Sequence, residues 1–280
     1  TIGAYSGITT SNGEVSITTN SPLIINAPID AGAANIVLTA SNSDGYIEVN
    51  SSITNSGAFD ITLIAQGVNG SGQSIIMDAA NGSINAGQDA ILTANSADSG
   101  DIIVSSITAG RNITITADNT GATPTGSILD DDNENTFLQA GVGGTVSLTA
   151  DEDIGSNTGT ATIPEGYLDI DMTNSPTLSI TTNSGDAYLR FVNNTLHSSD
   201  FTGLSVGGSN IGIAIDGYDL VFDDGTFTEL IQNLTFIADN IYLSYGFTGN
   251  SIDTTGDVTL KAINGVIQDT ADDSVVDIVA

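Results

Sequence analysis

The 280-residue sequence contains no cysteine, no tryptophan, one histidine and only three basic residues, Arg111, Arg190 and Lys261. Without cysteine there is neither a disulfide framework nor a thiolate metal site. A single imidazole, His197, excludes a histidine-rich metal site and leaves a Ser-His-Asp triad one residue to draw on. Its setting, NNTLHSSD, lacks a nucleophile-elbow pattern and reads as an exposed loop. Against the three cations stand 34 acidic residues, a formal net charge of -31. Nucleic-acid binding needs cations to displace phosphate counterions, and an anionic membrane surface repels such a chain, so neither partner is expected. No apolar run approaches the roughly 18 residues of a membrane helix, so direct membrane insertion is not expected either. The chain opens on TIGAYSGITTSNGEVSITT, without a basic and apolar leader, and closes on DSVVDIVA, both within a strand-and-turn pattern. A longer parent protein is expected.

What the sequence does contain is β-forming. Hydrophobic residues make up 39% and aromatics 5%, and 32 glycines accompany many Thr, Ser, Asn, Ile and Val residues. Such a mixture favours short β-branched strands punctuated by turns, and little of it suits surface helices. The acidic residues are scattered singly through turns, as on a soluble surface, and the dense Ile, Val and Leu content argues against disorder.

One phrase recurs: NIVLTA, DITLIA, DAILTA, NITITA and DVTLKA. Its second apolar position aligns at Ile17, Leu38, Leu63, Leu92, Ile115, Leu148, Ile180, Phe236 and Leu260, at spacings of 21 to 33 residues apart from one gap of 56. IGIAID, at 211 to 216, is the candidate for a degenerate copy inside that gap. Asp or Asn opens most copies (Asn35, Asp60, Asp89, Asn112, Asn233, Asp257) and Ala closes them. Period-2 alternation puts the apolar residues and the Ala on one buried face and Thr or Ser on a wet one. Second short strands follow, as in GYIEVNSSI and GDIIVSSI, with no helical period between them that a βαβ crossover would require. Parallel stacking must then come from winding. The fold expected is all-β, a parallel β-helix (β-solenoid) of about eleven coils and roughly 50 Å, forming a single elongated unit over 1–280. Residues 119–144 read as a looped-out insertion and 190–232 as degenerate coils. An antiparallel β-sandwich is the competing architecture, but its strands have no need to resemble one another.

The stretches GEVSI (13–17), GDIIV (100–104), GDAYL (185–189) and GDVTL (256–260), with VSLTADEDIGS (146–156) and LKAINGVIQD (260–269), resemble filamentous-haemagglutinin-type bacterial exoprotein repeats. The resemblance covers most of the chain and is weakest between about 190 and 232. It implies a right-handed β-helix in a giant cell-surface or secreted bacterial protein, hence an extracellular, non-enzymatic stalk, fibre or adhesin. Its implied partners are flanking coils of the same parent or like molecules in a fibre, and host or neighbour-cell glycans or proteins.

Several β-helix proteins are polysaccharide lyases or hydrolases, so a carbohydrate-active enzyme is the alternative. Arg190 is the best basic candidate, yet no partner for it stands out and it reads as a surface arginine. Carboxylate pairs occur at Asp169/Asp171 and Asp223/Asp224, as an acidic solenoid produces by chance. In LDDDNENTF, Asp130, Asp132 and Glu134 point to one side of an extended segment and are candidate calcium ligands, the only cofactor considered. The loop departs from the EF-hand pattern at Asn135 and Gly141, and a solvated acidic bulge is the plainer reading. Ten of the fifteen aromatics fall between Tyr188 and Phe247; they either stack on sugar rings outside or fill a wider interior.

Overall fold

The computed structural model describes residues 7–96, 100–117, 125–201, 203–223, 227–243, 252–270 and 278–279. Among them every strand pair is parallel, and neighbours within a sheet are mostly three strands apart in sequence. Each coil therefore lays one strand on each of three walls and returns one rung further along, which is a parallel β-solenoid. One wall is a continuous eleven-stranded sheet, giving ten coil-to-coil steps, or about 48 Å at about 4.8 Å per step. The eight-stranded sheet is followed on its wall by a three-stranded one; the five-stranded sheet precedes the eleven-stranded wall in each early coil, whereas the four-stranded sheet of the later coils follows it. The only helix among the described residues is a 3-10 turn at Ser198–Phe201.

The recurring phrase is the eight-stranded wall. Its register stacks Ile17, Leu38, Leu63, Leu92, Ile115, Leu148, Ile180 and Leu204 in one ladder. From Leu38 to Leu148 these side chains are fully buried, and the closing alanines Ala40, Ala65, Ala94, Ala117 and Ala150 stack beside them. The last two members of the sequence alignment do not belong there. Phe236 and Leu260 continue a ladder of the eleven-stranded wall, after Leu168, Leu189 and Ile213. A strand's inward surface is the same on any wall, so equivalent phrases can change wall without changing their wording. IGIAID thus stacks directly on the Phe236 strand, while Ile180 stacks on Leu204.

The Asp or Asn opening each phrase has a mechanical role. Asn35 Oδ1 accepts the Asp60 N–H at 3.0 Å, Asp60 Oδ1 the Asp89 N–H at 3.1 Å, Asp89 Oδ1 the Asn112 N–H at 3.1 Å, and Asn112 Oδ1 the Thr145 N–H at 3.0 Å. A second run joins Asp153 to Asp186 and Asp186 to Asn210. An Asx side chain is short enough, and carries the acceptor needed, to bond the backbone one rung on where the strand begins. At one corner the coils touch backbone to backbone: a Cβ on Gly87, Gly110 or Gly141 would collide with the carbonyl of Gly57, Gly87 or Gly110 respectively.

One expected boundary changes. Residues 119–144 are not a looped-out insertion: Ile128–Asp130 and Leu138–Gln139 are rungs of two walls, because Ile128 and Leu138 supply the apolar side chains their ladders require. Positions 118–124 lie outside the described residues. The stretch 190–232 stays paired in the eleven-stranded wall, but there the eight-stranded sheet ends at Leu204–Val206 and the four- and three-stranded sheets begin, and Phe191, Phe201, Phe222 and Phe227 fill the interior in place of aliphatics.

Leu92→Ala, at a position with 0% exposure, is expected to cost about 2–5 kcal/mol. Thr93→Ala, on the outward face of the same strand, should stay within about 0.5 kcal/mol of the parent in urea denaturation.

Candidate functional site

Acidic side chains converge on one cation. The Leu168–Asp171 and Ala187–Val192 strands are neighbours in the eleven-stranded wall, and their register sets Asp169 beside Arg190 on its outer face. Arg190 Nη1 donates to Asp169 Oδ2 at 2.9 Å and approaches Glu134 Oε2 at 2.7 Å; Nη2 donates to Asp216 Oδ2 at 2.8 Å. Far from being a surface arginine, Arg190 is 5% exposed, because two excursions cover this wall. The first is the turn after Ile128–Asp130, which carries Glu134 and is tied back by Asn133 Nδ2 to the Ala79 carbonyl at 2.9 Å. The second runs from Ser156 to Tyr167; its Ile163 and Tyr167 pack on Ala214 and Ile237, and Lys261 Nζ donates to the Thr162 carbonyl at 3.0 Å.

Burial sets the electrostatics. It pushes Asp130 up to about 8, with repulsion from Asp169 and Asp131 adding to the shift. Asp130 occupies the rung that Val104 fills with a core side chain one coil earlier. Burial likewise pushes Asp169 up to about 7, outweighing the attraction of Arg190. For Arg190 the order is reversed: burial disfavours the cation, but Asp216, Asp169 and Glu134 together raise its pKa. Asp169 Oδ1, Arg190 Nε and Asp131 Oδ2 are buried without hydrogen-bond partners.

The three proposed calcium ligands are separated in use. Asp130 Oδ2 accepts the Asp132 N–H at 2.7 Å, Asp132 is an exposed residue at φ 58, and Glu134 is committed to Arg190. Among the described residues no group of three or more His, Cys, Asp or Glu side chains is arranged to hold a metal ion. Asp171 is engaged by Gln139 and Thr173. His197 lies in a strand, Leu196–His197, not a loop, and its Nδ1 sits 2.7 Å from Asp223 Oδ2. Ser198 Oγ donates to the same carboxylate at 3.0 Å, so the imidazole and the hydroxyl share one acceptor group. Asp224, Tyr245 and Phe247 lie outside the described residues. The aromatic-rich stretch mainly fills the interior: Phe191, Phe201, Phe222, Phe227 and Phe236 form a chain of tilted and edge-to-face contacts with centroids 5.1–5.9 Å apart.

Comparison with protein-family models, with curated proteins and with solved structures finds no match.

Arg190→Ala strands Asp169 without its counter-ion and should cost about 3–5 kcal/mol, whereas Glu134→Gln, on a half-exposed partner, should cost less than about 1 kcal/mol. Raised carboxyl pKa values mean that the folded chain holds protons the unfolded chain has released, from near pH 4 upward. The stability these groups contribute is complete below the unfolded value and is lost as pH rises through about 7 to 8. Thermal midpoints should therefore fall between about pH 4 and pH 8, and Asp130→Asn should flatten that fall.

Proposed function

We propose that this chain is a non-enzymatic structural segment, a stalk or fibre portion of a giant extracellular bacterial surface or secreted protein with an adhesive role. The observation that carries the reading is the unbroken eleven-stranded wall, which serves length before it serves any pocket. Stability in such an array accumulates from neighbour-to-neighbour contacts, so length can be added coil by coil without redesigning a core. Further coils of the parent, or like molecules in a fibre, are the partners that match the rungs; glycans or proteins of a neighbouring cell are the partners for adhesion.

The carbohydrate-active alternative rests on the two carboxyls with raised pKa, Asp130 and Asp169. The stalk reading is favoured because Asp169 is 3% exposed and held by Arg190, leaving one of the pair to face a substrate.

A duplicated coil, residues 60–88 inserted in tandem after Gln88, should fold and lengthen the particle by about 4.8 Å in small-angle X-ray scattering. Release of reducing ends from neutral or acidic polysaccharides, abolished by Asp130→Asn, would overturn the reading.

A further inference from the structure

The outer face of the five-stranded wall breaks the rule that outward positions are polar. On the eight-stranded wall one outward column reads Thr18, Thr39, Ile64, Thr93, Thr116, Thr149 and Thr181. The corresponding outward column of the five-stranded wall reads Ile24, Glu48, Ile76, Ile103 and Leu129, one residue per rung. Ile24 is 46% exposed, and the other three aliphatics are half-buried. Ile76, Ile103 and Leu129 line a groove of about 360 Å³ edged by Gln73, Ser156 and Thr158. At its Leu129 end stand Asp130, Asp131 and Asp132, and Asp131 Oδ2 has no hydrogen-bond partner.

We infer that this groove docks a cationic amphipathic helix of a partner protein, laid along the solenoid axis with its apolar stripe on Ile76, Ile103 and Leu129 and its basic residues toward Asp131 and Asp132. The spacing selects a helix. Stripe residues recur every 4.8 Å or so, close to the 5.4 Å turn of an α-helix, whereas same-face side chains of a strand stand about 6.6 Å apart. Two steps from Ile76 to Leu129 span about 10 Å, the length of about six or seven helical residues. Charge selects the sign. A second copy of this chain brings another net charge of -31, and an anionic lipid surface is repelled in the same way. A helix carrying Lys or Arg beside its apolar face gains at both ends of the Ile76–Leu129 stretch, because Glu48 stands on the rung before Ile76 and Asp131 and Asp132 stand beside Leu129.

The test uses the full chain and two fluorescent peptides of about 14 residues and equal positive charge, one Leu/Lys amphipathic and one Ser/Lys. Fluorescence anisotropy should show the Leu/Lys peptide binding saturably and at least tenfold tighter than the Ser/Lys peptide. The paired variant Ile76→Ser/Ile103→Ser should remove that difference, and the control Ile64→Ser/Ile91→Ser, outward on the eight-stranded wall, should keep it. Asp131→Asn/Asp132→Asn should weaken the Leu/Lys peptide by tenfold or more. Circular dichroism of each variant confirms that it folds. Equal binding of the two peptides, or a difference indifferent to Ile76→Ser/Ile103→Ser, overturns the inference, leaving bulk charge as the cause. Self-association in sedimentation that Ile76→Ser/Ile103→Ser abolishes also overturns it, making a second copy the occupant.

Discussion

Parallel stacking at a fixed rung height obliges each coil to offer the next one the same inward surface, and the rest of the molecule follows from that requirement. An aliphatic side chain at Leu63 is buried only because Leu38 and Leu92 stand above and below it. The backbone supplies one set of bonds between coils, and the Asx side chains at 35, 60, 89 and 112 supply another where each strand starts. The alanine and glycine positions mark where the winding leaves no room for larger side chains. Repetition in the sequence is the covalent record of contact between copies.

The acidity is accommodated by the same geometry. Many carboxylates act as acceptors for backbone N–H groups of the adjacent coil, a role Asn fills equally well, as alternation of Asp and Asn at these positions attests. The exception is the cluster around Arg190, where covering segments remove water and a single guanidinium meets three carboxylates. Burial disfavours the charged carboxylates, and repulsion among several acids around one cation adds to it, which is why Asp130 and Asp169 hold their protons to near-neutral pH.

The seven-rung ladder from Ile17 to Ile180 was legible because strand alternation is a local property and equal phrases imply equal faces. The wall on which a phrase lies was not legible: Phe236 and Leu260 read like the others yet stack on Ile213. Arg190 carried no signal of its partners, since Glu134 and Asp216 lie 56 and 26 residues away and meet it through winding. The aliphatic column was hidden for a related reason, its members being single residues in strands whose register is known only once the coils are stacked. The acidic turn did stand out, but as a calcium loop, because its carboxylates were counted by spacing along an extended segment while the folded turn uses them separately.

By itself the sequence determined that strands form, which side of each is buried, and that successive copies stack in parallel, because these depend on period-2 patterning and on likeness between neighbours. Only the tertiary structure decided which wall each copy joins, which carboxylates surround Arg190, and which outward residues align into an apolar groove. Those outcomes depend on where each turn delivers the chain and on how the longer excursions fold back, which strand patterning does not record: turns of very different length leave the ladder from Ile17 to Ile180 in one register.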